Sequence, residues 1–397
     1  EHVTVRLIDF DDLTNNDFVV TTQFRFQVDE ETRIPDLVLL VNGMPLVVIE
    51  AKTPTRACVS WVDGAIQVHG YENDVPELFV PNVFSVATEG KEFRYGSIRM
   101  PIELWGPWRV DGDENLTPLE RVGAAASSML TPGTVLDLLA NFTTFANDSK
   151  RRRIKVVARY QQYEGANRIV ERVLAGRSRK GLIWHFQGSG KSLLMLFAAR
   201  KLRLHPELGN PTVVIVVDRI DLDTQIASTF YAADAPNLVK ADSRADLERL
   251  LGQDVRKIII TTIFKFGEAE GVLNDRDNII LLVDEAHRTQ EGDLGRKMRD
   301  ALPNAFMFGL TGTPINRSDR NTFYAFGSEE DANGYMSRYG FEESIRDGAT
   351  KELHFEPRLL DLHIDREAID AGFEELTGHL TAADRDRLSK AAAKMAV

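Results

Sequence analysis

Two stretches of this sequence contain the residue types that phosphate chemistry requires, and the first is a glycine-rich loop. It reads His185-Phe186-Gln187-Gly188-Ser189-Gly190-Lys191-Ser192 and lies between an apolar run and a helical pattern. The backbone N–H groups of such a loop, and the positive end of the helix after it, attract phosphate oxygens. We therefore predict a nucleoside triphosphate site, with Ser192 ligating Mg²⁺, formed by Gly188, Ser189, Gly190, Lys191 and Ser192.

This loop leaves one alternative open when it is considered alone. His185 stands where the common phosphate-binding pattern has glycine, and a Gly/Ser loop before a helix can simply be an N-terminal cap. The Gly-Ser-Gly-Lys-Ser core is intact, however, which favours the phosphate site.

The second stretch combines two carboxylates with a lysine. Asp36 follows Pro35, and Glu50 and Lys52 end the apolar run that comes after Asn42-Gly43. Asn-Gly is typical of a tight β-hairpin turn, which brings the two ends of the stretch together. We predict that Asp36 and Glu50 hold Mg²⁺ against a phosphodiester while Lys52 orients the attacking water. A salt bridge at a strand end is the plainer alternative.

The register of this hairpin decides whether the two carboxylates meet. A two-residue turn at Asn42-Gly43 sets Asp36 opposite Ile49 instead of Glu50. Because side chains alternate between the two faces of a strand, we predict a bulge or a longer loop that moves Asp36 onto the face of Glu50.

A helical pattern downstream contains two further polar residues. Gln67 and Tyr71 are spaced i and i+4, so they share one face of the predicted helix. We predict that both reach the carboxylate site or the backbone of bound DNA. His69 lies on another face and is interpreted as a surface residue.

Two acids follow an apolar run in the second half of the chain. Asp284 and Glu285 come directly after Ile279–Val283, at the strand end where ligands bind in parallel sheets. Asp284 is predicted to bind the Mg²⁺ of the nucleotide and Glu285 to orient or deprotonate the attacking water. The hydroxyls of Thr311 and Thr313, after another apolar run, suit a loop that senses the γ-phosphate; strand-end capping is the alternative for the acids.

The elements that position these residues alternate strand with helix in the region from about 151 to 325. This alternation predicts a parallel sheet covered by helices on both faces, an α/β fold. Predicted strands are Gly181–Trp184, Thr212–Val217, Lys257–Thr261, Ile279–Val283 and Ala305–Leu310. The region before it predicts β-strands and a hairpin, followed by two helices between Leu116 and Phe145 that close a first domain. The basic run from Lys150 to Lys155 marks a boundary, either as a solvated linker or as a DNA-backbone contact.

Composition excludes several classes of protein. The net charge of −12 argues against coating nucleic acid with the whole surface. The single cysteine, Cys58, excludes an internal disulfide. No apolar run approaches the roughly 20 residues of a membrane span and no signal peptide is evident, so we predict a cytoplasmic protein without a membrane partner. The chain starts without Met and stops inside a helical pattern, which we interpret as a fragment.

At this point the order of motifs resembles a superfamily 2 helicase or translocase. Gly188–Ser192 is like motif I, Asp284–His287 like motif II and Leu310–Pro314 like motif III, and Gln162 resembles an adenine-reading element. The stretches Asp218–Gln225 and Thr261–Phe266 occupy the places of nucleic-acid-contacting motifs. With Pro35-Asp36, Glu50-Ala51-Lys52 and Gln67–Tyr71 ahead of them, the chain is similar to the motor and nuclease subunit of type I restriction-modification enzymes.

The resemblance implies a PD-(D/E)xK endonuclease domain with a mixed sheet flanked by helices over residues 1–150, a RecA-like motor domain over 151–325, and a linker with the start of a second motor domain over 326–397. It implies ATP and Mg²⁺ as cofactors and double-stranded DNA as the substrate. It also implies methyltransferase and specificity subunits as partners, through which alone S-adenosylmethionine would enter.

Two other functions stay open, and one hypothesis concerns catalysis. A type III-like or repair helicase-nuclease is one alternative, although its nuclease usually follows the motor. A motor with a catalytically dead DNA-docking domain is the other. No Arg-rich motif that would supply an arginine finger occurs before Val397, so we expect this fragment to bind ATP weakly and hydrolyse it poorly.

Overall fold

The computed structural model describes residues 6–56, 58–147, 152–218, 226, 229–231, 237–267, 271–287, 293–317, 321–352 and 366–395. Residues Glu1–Lys351 form one compact unit and Glu352–Val397 form another.

Strands of the described part before Tyr160 are β1 (Phe18–Thr22), β2 (Phe26–Val28), β3 (Glu31–Arg33), β4 (Leu37–Val41), β5 (Met44–Ala51), β6 (Phe84–Thr88), β7 (Phe93–Gly96), β8 (Gly106–Pro107), β9 (Thr143–Asn147) and β10 (Arg153–Val157). The later strands are β11 (Lys180–His185), β12 (Thr212–Val217), β13 (Leu238–Lys240), β14 (Ile258–Thr262), β15 (Ile279–Asp284), β16 (Phe306–Thr311) and β17 (Ser337–Tyr339).

The described helices of the larger unit are α1 (Trp61–Asp74), α2 (Pro118–Met129), α3 (Pro132–Asn141), α4 (Tyr160–Ala175), α5 (Lys191–Leu204), α6 (Arg244–Leu251), α7 (Asp293–Ala301), α8 (Thr322–Phe326) and α9 (Phe341–Arg346). The smaller unit contains α10 (Arg366–Thr377) and α11 (Ala382–Met395).

The first sheet is mixed and has the order β1-β4-β5-β6-β7-β8. Only β5 and β6 are parallel, and the other neighbours are antiparallel. Helix α1 packs on one face, over a small core that contains Val48, Val68 and Tyr71. The other face joins a larger apolar core that extends to α3, α4 and α5. Burying both faces explains why β4, β5 and β6 are apolar along nearly their whole length.

The second sheet is wholly parallel and has the order β13-β14-β12-β15-β16-β11-β17. Its central strands β12, β15 and β16 are buried at every position. Helices α4 and α5 pack on one face and α6 and α7 belong to the core of the other. The sheet confirms the predicted α/β fold, and all five predicted strands are present within one residue of their predicted starts and ends.

Two features cross the predicted domain boundaries. Strands β9 and β10 pair as an antiparallel hairpin on either side of residue 150. Strand β17 lies beyond residue 325 and pairs with β11, so the parallel sheet continues past the predicted end of the motor domain. The boundaries at 150 and 325 therefore stay predictions, and sequence patterning alone gives no sign of the late edge strand because it has only three residues.

No single helix in the described ranges is long and apolar enough to cross a membrane. The consecutive helices α2 and α3, bent by 62° at their junction, pass such a test only by combined length and composition.

Candidate functional sites

The two carboxylates predicted to hold a metal lie opposite each other, with Asp36 directly before β4 and Glu50 within β5. The register of this hairpin shifts by one residue in the middle of β4. Beyond the shift Leu37 pairs with Ile49, so the next position places Asp36 opposite Glu50. The predicted bulge is confirmed, and it puts the two acids at one level of the sheet.

Hydrogen bonds across the two strands fix these carboxylates. Asp36 Oδ2 accepts from the Ala51 backbone N–H at 3.0 Å, and the Asp36 backbone N–H donates to Glu50 Oε1 at 3.3 Å. Asp36 Oδ1 accepts from Gln23 Nε2 at 3.1 Å. The backbone of β5 thus holds the Asp36 carboxylate, and the backbone of Asp36 holds the Glu50 carboxylate. None of these three contacts involves a positively charged group.

Lys52 connects this pair to helix α1. Its Nζ lies 2.8 Å from Glu50 Oε2 and also donates to Gln67 Oε1. The amide nitrogen of Gln67 donates to Tyr71 Oη, and that hydroxyl donates to the Ile34 carbonyl at 3.4 Å. The structure therefore brings Glu50, Lys52, Gln67 and Tyr71 into one hydrogen-bonded chain, although the roles predicted for them stay predictions.

Helix α1 can supply two side chains because it approaches the sheet closely. Ser60 and Asp63 form a reciprocal capping box that starts the helix. One turn later, a Cβ at Gly64 would lie 3.4 Å from the Glu50 Cβ and 3.1 Å from the Ala87 Cβ. Because Gly64 has no side chain, helix α1 can lie directly over β5 at Glu50.

Burial shifts the acid–base properties of this site. The Glu50 side chain is fully buried, and burial raises the pKa of its carboxyl, while Lys52 opposes that shift and Asp36 reinforces it. Burial also raises the pKa of Tyr71 to about 12. Tyr71 therefore stays a neutral hydroxyl at ordinary pH, and Lys52 is the cation that favours ionised Glu50.

The donor set fits a magnesium ion bound mainly by substrate and water. Among the described residues, no group of three or more His, Cys, Asp or Glu side chains is placed to hold a metal. Mg²⁺ is commonly held by one or two carboxylates together with phosphate oxygens and water. Asp36 and Glu50 supply two such carboxylates at one strand level, so the residues present fit that mode of binding.

The glycine-rich loop connects β11 to α5 at the carboxyl edge of the parallel sheet. Gly188 and Gly190 have φ values of +87° and +84°, the left-handed region in which glycine is favoured. Gln162 Nε2 donates to the carbonyls of Ser189 at 3.2 Å and Gly190 at 3.3 Å. Ser192 follows Lys191 in the first turn of α5. The loop and Gln162 thus meet, as the sequence led us to expect for parts of one nucleotide site.

Lys191 lies between the loop and the acids of β15. Its Nζ is 3.4 Å from the His185 carbonyl and 4.0 Å from Glu285 Oε1. The His185 ring is fully buried and its Nε2 is 2.9 Å from Ser337 Oγ on β17. Burial, with Lys191 and Arg168 nearby, lowers the pKa of His185 to about 3. His185 is therefore a neutral ring that attaches the loop to the edge strand.

Asp284 is the last residue of β15, and Glu285 follows it. In the sheet, β15 lies two strands away from β11, which leads into the loop. Asp284 is 7% exposed, and its Oδ1 has no hydrogen-bond partner among the described residues. Burial raises the pKa of Asp284 to about 6, Glu285 adds to the shift and Lys191 opposes it. Glu285 has a φ of +47°, an uncommon conformation for a side chain of its kind. A buried carboxylate oxygen that lacks a partner beside Lys191 fits a ligand of a cation.

The loop after β16 packs between these two groups. Thr311 Oγ1 is 2.8 Å from His287 Nδ1 and accepts from the Thr313 backbone N–H at 3.1 Å. Trp184 donates its indole N–H to the Gly312 carbonyl at 3.2 Å. A Cβ at Gly312 would come within 3.0 Å of the Gln187 backbone nitrogen. The structure thus places Thr311 against His287 and Gly312 against the phosphate loop, with the Thr313 backbone held to Thr311.

A cavity of about 370 Å³ opens beside the phosphate loop. It is lined by the loop glycines and Gln162 and also by the segment from Glu103 to Pro107, next to β8. This volume lies within the usual range of ligand pockets. Arg159 donates from its guanidinium to the Leu104 carbonyl, so helix α4 and the first sheet share one wall of the cavity.

The structure bears on only part of the predicted nucleic-acid contacts, because several of these residues lie outside the described ranges. In the basic run Lys155 is partly buried: its Nζ donates to the Asn82 carbonyl, and burial lowers the pKa of its amine to about 8. Lys150 and Arg151 lie outside the described residues, as does the predicted nucleic-acid-contacting stretch from 219 to 225. The alternative of a DNA-contacting run therefore loses Lys155 as a member.

Sequence reasoning missed two polar contacts of these sites. Gln23, which contacts Asp36, ends a strand and belongs to no recognisable spacing with other polar residues. Arg159, whose backbone N–H donates to Gln162 Oε1 at 2.9 Å, lies just before the helix that contains Gln162. The first could have been found only from the pairing of β1 with β4, and the second from the capping of α4.

Comparisons with known proteins match both halves of the chain. Residues 1–101 match the family described as the type I restriction enzyme R protein N terminus, and residues 161–386 match the SWI2/SNF2 ATPase family. The second match covers more than half of the chain.

Individual relatives carry related names. The chain is 36% identical over 405 residues to the type I restriction enzyme HindI endonuclease subunit of Haemophilus influenzae, with 94% of this chain and 38% of the relative covered. It is 33% identical over 406 residues to the MjaIXP endonuclease subunit assigned to a type I restriction enzyme of Methanocaldococcus jannaschii, with the same coverage of 94% and 38%. The chain therefore spans about two-fifths of the length of these relatives.

Among solved structures, the chain resembles a fragment assigned as the HsdR subunit of a type I restriction enzyme from Vibrio vulnificus. The identity is 20%, the TM-score is 0.34, and 83% of this chain and 56% of the other are covered.

Proposed function

Because the chain belongs to the SWI2/SNF2 ATPase family and also matches the N-terminal region of type I restriction enzyme R proteins, we propose that it is part of a DNA restriction subunit. In this proposal, ATP-driven translocation along double-stranded DNA is coupled to Mg²⁺-dependent endonucleolytic cleavage. Residues 1–150 form the nuclease domain, 151–325 the first motor domain, and 326–397 a linker and the start of a second.

The proposed nuclease activity is supported by one observation: Lys52 contacts both Glu50 and Gln67, beside Asp36. A strand-end salt bridge needs only one of these carboxylates. Here the register shift between Leu39 and Leu40 brings the two acids opposite each other, and two carboxylates beside a lysine suit a metal-assisted phosphodiester cleavage.

In the proposed cleavage, Asp36 and Glu50 hold a divalent metal whose chemistry is to polarise the phosphate and lower the pKa of water. Lys52 is positioned by Glu50 and Gln67, so its ammonium lies at a fixed place beside the acids. There it orients the attacking water and stabilises the developing negative charge. Tyr71 holds the Gln67 amide and thereby the direction of its carbonyl towards Lys52.

In the proposed motor, the loop N–H groups and Lys191 bind the phosphates of ATP, and Gln162 contributes to the base site. Ser192 and Asp284 would hold the magnesium that neutralises phosphate charge. Glu285 is the base that orients the attacking water, and its left-handed backbone fixes the side chain near Lys191. Thr311, which contacts His287, and Thr313, whose backbone N–H donates to Thr311, respond to the γ-phosphate.

The proposed partners follow from the names of the relatives, which are subunits of larger enzymes. Methyltransferase and specificity subunits would recognise the DNA sequence and use S-adenosylmethionine, while this chain would contact DNA through its backbone. The proposed place of action is the cytoplasm.

Cleavage of supercoiled plasmid by the assembled enzyme, with ATP and Mg²⁺, tests the nuclease half. Asp36→Asn and Lys52→Met should each lower the nicking rate at least about 100-fold, because each removes a group that contacts the metal or the reacting phosphate. Asp29→Asn, which changes an exposed carboxylate in the turn after β2, should cut like the unchanged protein. Wild-type rates in both site variants would refute an active nuclease.

ATP turnover and DNA movement in the same assembly test the motor half. Lys191→Ala should abolish both, because it removes the cation that the loop presents to the phosphates. Lys91→Ala, an exposed lysine far along the chain from the loop, is the matched control. Normal ATP turnover by the Lys191→Ala enzyme would exclude this loop as the nucleotide site.

A further inference from the structure

Gln23 lies in line with the two acids of the proposed nuclease site. Thr22 pairs with Leu37 on β4, and Leu37 pairs with Ile49 on β5. The following positions therefore place Gln23, Asp36 and Glu50 side by side on three neighbouring strands. The Gln23 backbone N–H continues this pairing, since it donates to the Asp36 carbonyl at 2.9 Å.

The backbone of Gln23 is held in an uncommon conformation. Its φ of +50° lies in the left-handed region, which is unfavourable for a residue with a side chain. The turn re-aims the side chain at the end of β1, and its Nε2 then donates to Asp36 Oδ1 at 3.1 Å.

The two oxygens of Asp36 have different partners. Oδ2 is held by the backbone N–H of Ala51, which any sequence would supply. Oδ1 is held by the Gln23 amide, which only this side chain supplies. Without it the carboxylate keeps one fixed oxygen and can rotate about that contact.

We propose that Gln23 is a positioning residue that fixes the Asp36 carboxylate in the orientation needed to bind the divalent metal of the nuclease. This inference rests on the proposed function of the site. Outer contacts of this kind typically change metal affinity about 10- to 100-fold when they are removed. Since Gln23 is exposed, we expect an effect near the lower end.

The first experiment measures Mn²⁺ binding to the purified chain by the paramagnetic resonance signal of the free ion. The site is defined as the binding that Asp36→Asn removes. Gln23→Leu and Gln23→Gly should each weaken this binding about 10-fold. Glycine accepts the φ of +50° without strain, so a loss in both variants assigns the effect to the missing amide and not to the backbone.

The second experiment titrates Mg²⁺ in the cleavage assay of the assembled enzyme. Gln23→Leu should raise the half-saturating Mg²⁺ concentration about 10-fold and leave the rate at saturation within about threefold. A purely structural role would lower the saturated rate or the amount of folded protein instead. Asp29→Gly, at another non-glycine residue with a positive φ of +49°, should change neither quantity.

The outcomes separate the two levels of the proposal. If the unchanged chain and Asp36→Asn bind Mn²⁺ equally and the Asp36→Asn enzyme also cuts DNA at the unchanged rate, the metal site itself is absent and the proposed nuclease function fails. If Asp36→Asn loses the site while Gln23→Gly binds like the unchanged chain, only the positioning role is overturned.

Discussion

Each of the two proposed sites contains a buried carboxyl group whose pKa is shifted by its burial. Glu50 is fully buried and Asp284 is 7% exposed, and burial raises the pKa of each carboxyl. Glu50 has Lys52 at 2.8 Å as compensation. Asp284 is buried, and one of its oxygens has no hydrogen-bond partner in the described part of the chain, so its ionised form is disfavoured in the folded state.

Asp284→Asn should therefore stabilise the chain at neutral pH. The folded-state pKa of about 6 lies above the ordinary value of 3.8, so the folded state binds more protons than the unfolded state between these values. Stability falls as the pH rises through this window, and above it the cost reaches about 3 kcal/mol. The variant lacks the charge, so its free energy of unfolding in urea should exceed that of the unchanged chain at pH 7.5.

The advantage of Asp284→Asn should disappear as the pH falls below about 4, where the carboxyl is neutral in both states. Asp275→Asn, an exposed acid before β15, should give no comparable gain at either pH. A gain that is independent of pH would contradict burial of the charge as its cause.

Helix α1 is the element on which the nuclease site depends, because it supplies Gln67 and Tyr71 at a fixed distance from the sheet. Its contact with β5 is made at Gly64, where a Cβ would approach the Glu50 and Ala87 side chains. Gly70, on the same helix, has no atom within 4 Å of its Cβ position. Alanine at Gly64 therefore tests the position of the helix, whereas alanine at Gly70 tests only helix propensity.

Gly64→Ala should lower the nicking rate at least about tenfold, because a helix moved by a few tenths of an ångström loosens the Gln67 contact with Lys52. Gly70→Ala should keep the rate and raise stability by up to about 1 kcal/mol, as expected for alanine in a helix. Nicking rates and urea unfolding of the two variants provide the test. Equal rates in both would show that the approach of α1 is not critical.

The elements also show what sequence reasoning can and cannot reach. The strands of the parallel sheet were predictable because buried strands are continuous apolar runs between turn signals. The bulge beside Asp36 was predictable because only one register lets two acids meet. The contact of Gln23 with Asp36 and the edge strand β17 were not, since each depends on pairings between residues far apart in the chain. Burial of Lys155 was missed because a run of basic residues favours a solvated interpretation.

On the scale of the whole molecule, the two proposed catalytic regions belong to one compact unit, Glu1–Lys351. Tyr95 Oη donates to the Ala158 carbonyl at 2.6 Å, and Ser97 Oγ donates to the Lys155 carbonyl at 2.6 Å. The large apolar core is continuous from the first sheet to α5. The nuclease region and the first motor region should therefore unfold together, in a single transition.

Buried polar contacts of Asp347 also connect the first sheet to helix α4. Arg109, which follows β8, places its Nε 2.8 Å from Asp347 Oδ1, and Tyr160 at the start of α4 donates to Asp347 Oδ2 at 3.0 Å. The Asp347 side chain is only 4% exposed. Three distant parts of the chain thus share one desolvated carboxylate, which also lines the cavity beside the phosphate loop.

Arg109→Met should destabilise the unit by about 3–5 kcal/mol, because it removes the cation that lies 2.8 Å from the buried Asp347 and 3.3 Å from the buried Asp113, and leaves Asp347 with the more distant Arg346 at 3.9 Å. Asp347→Asn in the same chain removes one of these two buried charges, so the double variant should recover part of the loss. Urea unfolding of the two single variants and the double variant measures this coupling. Strictly additive losses would mean that the pair does not act as a unit, and that the apolar core alone joins the first sheet to the motor.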